Sequence, residues 1–201
     1  MSPRLLAGRA PALLLDPVVR VLAWAGVSPA MVTTAGLIGS LVAAVLIARG
    51  ELVAGGIVVL LAAGLDMFDG ALARATGRAT RFGAVLDATF DRISEAAVLF
   101  GMLVYELELG NREESLLIFA ALTGSLLVSY VRAKVEAMGG TMSDGLFTRT
   151  ERVVLTGAAL ITGWLRAGLW VLAVLTLLTA AQRLLAAPRA LRSASLRDGE
   201  A

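Results

Sequence analysis

Two neighbouring segments decide the fold of this chain: they read DMFDGALAR at residues 66–74 and GAVLDATFD at residues 83–91. Together they set four aspartates at a fixed spacing, D-x2-D-G-x2-A-R-x8-G-x3-D-x3-D. The flanking sequence is apolar enough to lie in a bilayer, where a charged carboxylate on a helix costs about 3 kcal/mol. Four carboxylates in such surroundings therefore indicate a bound cation.

The composition of the chain indicates an integral membrane protein. Of its 201 residues 58% are hydrophobic, and its mean hydropathy is +0.81. Soluble domains of this size rarely have so little polar surface. Cysteine and histidine are absent from the sequence, which excludes disulfides, thiolate nucleophiles, imidazole bases and the usual zinc sites. Any acid–base or metal chemistry must therefore use carboxylates.

Six apolar segments are candidates for transmembrane helices, because about 20 apolar residues cross a bilayer core. The fifth segment is short, and the others approach or reach that length. The candidates are residues 31–48, 52–73, 84–107, 115–135, 153–164 and 169–185.

The remaining parts of the chain lie at its two ends. Apolar positions within residues 10–25 predict an amphipathic helix at the membrane interface. The predicted fold is therefore all-α, with six transmembrane helices preceded by this interfacial helix. Three regions follow: an interfacial segment at 1–27, a six-helix domain at 28–187, and a basic, polar tail at 188–201 that we expect to be disordered.

The cations set the expected orientation. If both termini lie on one side of six spans, all of the 18 Lys and Arg except Arg49, Arg112 and Arg166 fall on that side or at its edge. The positive-inside rule makes that side cytoplasmic. We therefore expect a multi-pass protein of the cell (inner) membrane, with both termini and the aspartates at the cytoplasmic face.

The spacing of the aspartates places each pair on one face of its own helix. The first two are three residues apart and the last two are four apart. Facing helices can then present four carboxylates to a shared point, and oxygen donors favour Mg²⁺ or Mn²⁺. Gly70 leaves room beside the backbone, and Arg74 is placed to hold a phosphate. A cluster of ion pairs without chemistry is the alternative, but buried pairs stabilise a protein little.

This pattern resembles the signature of the CDP-alcohol phosphatidyltransferase family, with every fixed position present. The resemblance implies six transmembrane helices, a divalent-metal site, and displacement of CMP from a CDP-linked lipid by an alcohol hydroxyl. It implies that Asp91 is the general base for that hydroxyl. The metal ligands that it implies are Asp66, Asp69, Asp87 and Asp91.

The same resemblance implies a site for the CDP-linked lipid. Thr80 is expected to assist Gly70 and Arg74 in holding the nucleotide. The segment SPAMVTT at residues 28–34 is similar to the family's S/T-P-N-x-x-T segment, with Ala replacing the frequent Asn. Backbone contacts with the CDP-linked lipid are therefore expected from Pro29, Ala30, Met31 and Val32.

Four further segments resemble the phosphatidylinositol phosphate synthases within this family. They are TRFGAVLDATFDRIS at 80–94, SYVRAKVE at 129–136, GLFTRTER at 145–152 and QRL at 182–184. Their cations indicate an acceptor that carries a phosphate, although cytoplasmic cations also serve topology and lipid headgroups. The residues predicted to bind the acceptor phosphate are Arg132, Lys134, Arg149, Arg152 and Arg183.

The sequence thus predicts an enzyme that moves the phosphatidyl group of CDP-diacylglycerol to myo-inositol 3-phosphate, with Mg²⁺ or Mn²⁺, as a homodimer and with no nucleic-acid partner. Glycerol 3-phosphate as acceptor, or an archaeal-type ether lipid as donor, is the alternative within the class. A metal-ion transporter and a non-catalytic membrane scaffold are alternatives from other classes. A transporter should carry carboxylates along a path through the bilayer, whereas these cluster at one end.

Overall fold

The computed structural model describes residues 10–77, 79–142 and 145–198, and the regular elements of those residues are all helices. The all-α prediction is therefore confirmed, and each predicted span overlaps one helix from α2 to α7. Residues 1–9 and 199–201, which belong to the predicted interfacial segment and tail, lie outside the described residues. The helices are α1 (Ala10–Trp24), α2 (Pro29–Ala48), α3 (Leu52–Ala75), α4 (Arg81–Glu108), α5 (Arg112–Ala137), α6 (Arg149–Thr162) and α7 (Leu165–Asp198).

Four of the helices in the described chain, α2, α3, α5 and α7, are long and apolar enough to cross a membrane. Helix α4 carries several charged side chains in its first half, and α6 has 14 residues, fewer than the ~20 of a typical span. Large apolar side chains such as Ile38, Leu61 and Phe119 are more than half exposed on the outside of the bundle. Several apolar helices therefore indicate a membrane protein, and six spans remain a prediction.

Helices α2 to α7 form a ring. Helix α2 packs against α3 and α4, α3 packs against α6, α6 against α7, α7 against α5, and α5 against α4. Helix α1 lies outside this ring against α3. Because successive helices run in opposite directions, the connections 76–80 and 138–148 and the start of α2 lie at the same end of the ring.

The interior of the ring is closely packed. Gly101 faces the backbone of Ala44, and Gly124 faces Thr176, so a Cβ at either glycine would collide with the neighbouring helix. Small residues let helices in membranes approach each other in this way. Five of the large apolar residues that are fully buried each come from a different helix: Ile47, Met102, Ile118, Leu160 and Leu169.

Three helices begin at the same end of the ring, and each has an N-cap. The hydroxyls of Ser28 and Thr80 each accept a hydrogen bond from the backbone N–H three residues on, at 3.2 and 2.9 Å. Thr148 forms a capping box with Glu151 at the start of α6. Helix N-termini carry partial positive charge, so this end of the ring is suited to anionic ligands.

The C-terminal region differs from its prediction. We expected disorder at 188–201, but α7 continues as a helix through Pro188 to Asp198. A helix of 34 residues is about 51 Å long, whereas a bilayer core is about 30 Å thick. A Cβ on Gly140 would lie 3.4 Å from Leu191, so the end of α7 packs against the connection between α5 and α6. The polar composition of the tail did not reveal this contact with the connection between α5 and α6.

Candidate active site

The first two aspartates of the pattern lie on the side of α3 that faces α2. Asp69 is buried, and its carboxylate accepts hydrogen bonds from the hydroxyl of Thr33 at 2.8 Å and from the N–H of Gly70. Asp66 lies against Gly36 of α2, where a Cβ would collide with its carboxylate. These contacts fix both carboxylates at the end of α3.

Arg149 joins the aspartates of α3 to those of α4. Its Nη2 lies 2.8 Å from Oδ2 of Asp66, and its Nη1 lies 3.0 Å from Oδ1 of Asp91. The two carboxylates compensate the positive charge of this guanidinium, which is 29% exposed. Because Arg149 begins α6, three helices meet at this cation.

The donor types at this end of the bundle suit a hard divalent cation, because carboxylate oxygens are available and histidine and cysteine are absent from the chain. Asp66 and Asp91 meet at Arg149, whereas Asp69 and Asp87 face a neighbouring groove. Among the side chains that the structure describes, no three acidic groups lie close enough together to form a ready-made metal cluster. The four aspartates therefore suit a metal by chemistry, and their role as ligands remains a prediction.

A groove of about 400 Å³, the donor groove, lies between the first turns of α2 and α4 and the end of α3. A Cβ on Gly70 would lie 3.4 Å from Nη1 of Arg74, so the bare backbone of Gly70 leaves space beside the guanidinium. The groove is also lined by Ser28, Thr33 and Gly83, which sequence reasoning did not assign. The predicted donor-site residues that line it are Pro29, Ala30, Gly70, Arg74 and Thr80.

Met31 and Val32 are not among the residues that line the donor groove. Met31 is largely exposed, and Val32 is buried against Val19 of α1 and Leu72 of α3. Successive residues of a helix face different directions, so neighbours in the motif need not share its surface. In the structure Val32 helps to hold α1 on the bundle.

On another side of Arg149 lies a pocket of about 190 Å³, the acceptor pocket, with Asp91 in its wall. Lys134 is exposed and does not line it. Lys134 is two residues from Arg132 on α5 and therefore lies on a different face of that helix. The predicted acceptor-site cations that do line the pocket are Arg132, Arg149, Arg152 and Arg183.

Two of these cations come from neighbouring helices and make different contacts. Arg183 of α7 is buried and donates a hydrogen bond from Nη1 to the carbonyl of Val128 at 2.8 Å. Arg132 of α5 is partly exposed and donates from Nε to Glu136 at 2.8 Å. The packing of α5 against α7 thus brings two guanidinium groups to one pocket, where they can bind an anion.

A comparison with known proteins identifies the class of this site. The model of the family described as CDP-alcohol phosphatidyltransferase matches residues 26–185. The chain belongs to this family. It is therefore an enzyme of the CDP-alcohol phosphatidyltransferase class, and the match includes the donor groove and the acceptor pocket.

Several relatives of this phosphatidyltransferase are similar along most of their length. It is 44% identical over 179 residues to the phosphatidylinositol phosphate synthase of Mycobacteroides abscessus, a match that covers 84% of this chain and 81% of that protein. It is 35% identical over 178 residues to the archaetidylinositol phosphate synthase of Pyrococcus horikoshii, covering 88% and 92%.

Solved structures of one further relative are also similar. The crystal structure of Mycobacterium tuberculosis phosphatidylinositol phosphate synthase with CDP-DAG bound has a TM-score of 0.80 and 36% identity, covering 86% of this chain and 92% of that chain. The same mycobacterial enzyme in complex with manganese and citrate has a TM-score of 0.78 and 36% identity, covering 86% and 88%.

Sequence reasoning did not assign one acidic residue of the phosphatidyltransferase's acceptor pocket. Glu95 stands one turn after Asp91 on α4 and lines the same pocket. Its carboxylate oxygens lie 2.6 and 3.0 Å from Nε and Nη2 of Arg152. The four-residue spacing from Asp91 was a signal that could have found it, but the aspartate pattern ends before Glu95.

Proposed function

We propose that this enzyme transfers the phosphatidyl group of CDP-diacylglycerol to myo-inositol 3-phosphate, giving phosphatidylinositol phosphate and CMP. The observation that carries the proposal is the position of the aspartates between the donor groove and the acceptor pocket, which is lined by arginines. A transfer between two substrates requires both to reach one set of reacting groups. The names of the relatives and the CDP-DAG complex of the mycobacterial enzyme support the choice of substrates.

The donor groove has the features that a diphosphate needs. The N-termini of α2 and α4 bring backbone N–H groups and partial positive charge to the groove. Arg74 supplies a full positive charge for a phosphate oxygen. Gly70 presents no side chain, so the diphosphate can approach the backbone of α3 beside Arg74.

The proposed reaction is a displacement at phosphorus. The acceptor hydroxyl oxygen forms a bond to the phosphorus that carries diacylglycerol, and the bond from that phosphorus to the bridging oxygen of CMP breaks. CMP leaves with the electron pair of that bond. Asp91, in the wall of the acceptor pocket, accepts the proton of the attacking hydroxyl and so makes the oxygen a better nucleophile.

The cofactor in this proposal is Mg²⁺ or Mn²⁺, held by the aspartates. When bound, it neutralises charge on the diphosphate and improves CMP as a leaving group. The manganese complex of the mycobacterial relative supports this choice. We propose Asp66, Asp69 and Asp87 as ligands, with Asp91 as base and further ligand.

The acceptor pocket is proposed to bind the phosphate of the acceptor. Its arginines come from α5, α6 and α7, and guanidinium groups bind phosphate oxygens through paired N–H donors. With the phosphate held there, a hydroxyl of the same molecule can reach Asp91. An acceptor without a phosphate lacks this anchor.

The proposal includes an arrangement in the membrane. Helices α2 to α7 are proposed to cross the bilayer, with α1 at the interface and both termini and the active site at the cytoplasmic face of the cell membrane. The asymmetry of the cations supports that orientation. Trp24 at the end of α1 and Trp164 at the opposite end of the bundle are 90% and 75% exposed, as expected for anchors at two interfaces. A homodimer is proposed from the family resemblance alone.

The acceptor is tested by supplying the purified protein with Mg²⁺, CDP-diacylglycerol and one candidate at a time. The candidates are myo-inositol 3-phosphate, glycerol 3-phosphate and unphosphorylated myo-inositol, with CMP release and the mass of the lipid product as readouts. We expect turnover with inositol phosphate at least tenfold above that with unphosphorylated inositol, since a charge-assisted contact is worth about 1.5–3 kcal/mol. We also expect it to exceed turnover with glycerol 3-phosphate, in line with the name of the 44% identical relative. Preference for glycerol 3-phosphate would contradict the proposed acceptor.

A second donor deserves the same assay, because the chain is 35% identical to an archaetidylinositol phosphate synthase. CDP-archaeol replaces CDP-diacylglycerol, and the acceptor is held fixed. We expect the diacyl donor to be preferred, in line with the 44% identical bacterial relative. A preference for the ether lipid would change the proposed donor and leave the reaction class intact.

A further inference from the structure

We propose that Glu95 is a positioning residue of the acceptor site. Through two hydrogen bonds with Arg152, it holds the first turn of α6, and with it Arg149, against the aspartates. The role depends on the proposed function only for the identity of the acceptor. The contacts themselves connect residues that the aspartate pattern does not include.

The contact between Glu95 and Arg152 is buried and has two-point geometry. Nε of Arg152 lies 2.6 Å from Oε1 and Nη2 lies 3.0 Å from Oε2. The side chain of Arg152 is 4% exposed and that of Glu95 is 13% exposed. Paired contacts between a planar guanidinium and a carboxylate fix the orientation of both groups. Glu95 therefore determines where the charge of Arg152 lies.

Arg152 in turn contacts the chain just before α6. Its Nη1 donates to the carbonyl of Phe147 at 3.3 Å, and Phe147 is buried in the core. The next residue, Thr148, caps α6 through its box with Glu151. One carboxylate on α4 is thus connected, through Arg152, to both sides of the cap that begins α6.

The same turn of α6 carries Arg149. Arg149 and Arg152 are three residues apart and share a face of α6, while Asp91 and Glu95 are four apart and share a face of α4. The two helices therefore form two parallel ion pairs, Asp91 with Arg149 and Glu95 with Arg152. The first pair contains the proposed base. The second pair holds the first turn of α6 in place relative to α4, across the ring.

A neutral residue at position 95 removes the partner of a buried cation. Arg152 then has Asp91 and the acceptor phosphate as its nearest anionic alternatives in the acceptor pocket, and the first turn of α6 loses its fixed position. The donor groove is formed by α2, α3 and α4 and is not lined by Glu95. We therefore expect loss of acceptor use without loss of donor binding.

The test measures kcat and KM for both substrates in Glu95→Gln, with Glu95→Asp as the conservative variant. Glu95→Gln is expected to lower kcat/KM for the acceptor about 100-fold, the effect of displacing a substrate-positioning group, while the Kd for CDP-diacylglycerol changes less than twofold. Glu95→Asp keeps the charge but is one methylene shorter, so it is expected to recover part of that loss and to remain about tenfold below wild type.

Glu114→Gln is the matched control. The Glu114 side chain is 14% exposed, about as buried as that of Glu95, and its carboxylate lies 3.4 Å from the guanidinium of an exposed arginine, Arg166. It stands at the other end of the bundle. Its replacement is expected to leave the acceptor kcat/KM unchanged. An equal loss in both variants would show a general effect of removing a buried carboxylate and would overturn the proposal.

A double-mutant cycle tests whether Glu95 acts through Arg152. Glu95→Gln combined with Arg152→Lys is expected to be no worse for the acceptor than the worse single variant, because both break the same contact. Additive losses would overturn the proposed route. If Glu95→Gln does not fold, Glu95→Asp carries the same cycle, and an unchanged acceptor kcat/KM in that variant would also overturn it.

Failure of this role and failure of the proposed function give different results. The cycle uses whichever acceptor the wild-type protein prefers, so a preference for glycerol 3-phosphate corrects the substrate and leaves Glu95 open to the same test. Normal wild-type turnover with inositol phosphate, together with an unaffected Glu95→Gln variant, removes the role of Glu95 and keeps the proposed function.

Discussion

The donor groove and the acceptor pocket are lined by different aspartates of the same pattern, and they are built from different materials. The donor groove, about 400 Å³, is lined mainly by short side chains, a glycine backbone and helix N-termini, with Arg74 as its long cation. The acceptor pocket, about 190 Å³, is surrounded by arginines from several helices. The ligand of the larger donor groove should therefore depend on backbone shape, and the ligand of the smaller acceptor pocket on side-chain charge.

The arginines of the acceptor pocket are also held by protein carboxylates. Arg132 contacts Glu136, Arg149 contacts Asp66 and Asp91, and Arg152 contacts Glu95. A long charged side chain loses rotamer freedom when it is fixed, so these partners place the cations before a phosphate arrives. The acceptor pocket should therefore be more sensitive to the loss of single side chains.

The largest expected effect is at Asp91, the aspartate in the wall of the acceptor pocket. Asp91→Asn removes the proposed base but keeps the size of the side chain, so kcat should fall about 1,000-fold. The Kd for CDP-diacylglycerol, measured by equilibrium binding, should change less than threefold because Asp91 does not line the donor groove. Turnover within tenfold of wild type would remove Asp91 from the role of base.

A smaller and more selective effect is expected at Arg183. Arg183→Gln removes a charged donor from the acceptor pocket, and the KM for inositol phosphate should rise about 30-fold, corresponding to about 2 kcal/mol. The KM for CDP-diacylglycerol should not change. Arg189→Gln is the control, since Arg189 is exposed on the same helix and does not line the pocket. Equal effects on both substrates would show that the two regions are not separate.

The donor groove is tested by adding one methyl group to its backbone wall. In Gly70→Ala the new Cβ lies 3.4 Å from Nη1 of Arg74, an ordinary contact, so the fold should be kept. The KM for CDP-diacylglycerol should rise about tenfold because the diphosphate loses space, and the acceptor KM should stay constant. Gly64→Ala, on the same helix with open space around its Cβ, is the control and should match wild type. An unaffected donor KM in Gly70→Ala would contradict backbone approach at this position.

The smallest effect is expected at Lys134, which the sequence assigned to the acceptor site and the structure places outside the acceptor pocket. Lys134→Ala should change the acceptor KM less than twofold, because Lys134 is exposed and lies outside the acceptor pocket, and surface substitutions usually have small effects. A tenfold or greater rise in the acceptor KM would show that Lys134 belongs to the acceptor site and that the site extends beyond the residues that line the acceptor pocket.

The sequence was informative where chemistry depends on spacing along one helix. Asp87 and Asp91 share a face of α4 because they are four residues apart, and Gly70 and Arg74 share the donor groove for the same reason. The apolar segments predicted the helices because their length and hydropathy are local properties. Overlap of each predicted span with a helix follows from those local rules.

The sequence was less informative where a residue's surroundings come from another helix. Met31 and Val32 belong to the donor motif, yet the packing of α1 and α3 directs them elsewhere. The end of α7 is polar, yet it is helical and lies near Gly140. Glu95 lies outside the aspartate pattern, and its contact with Arg152 forms only because the fold places the start of α6 beside it.

Composition and spacing are properties of the chain alone, and they were sufficient to predict the helical class, the membrane character and the set of carboxylates and cations available for chemistry. The packing of the helices divides those groups between the two sites. It brought Asp66 and Asp91 to Arg149, directed Asp69 and Asp87 toward the donor groove, and joined Glu95 to Arg152. These pairings connect different helices, and closure of the ring, rather than any local pattern, sets the distances between them.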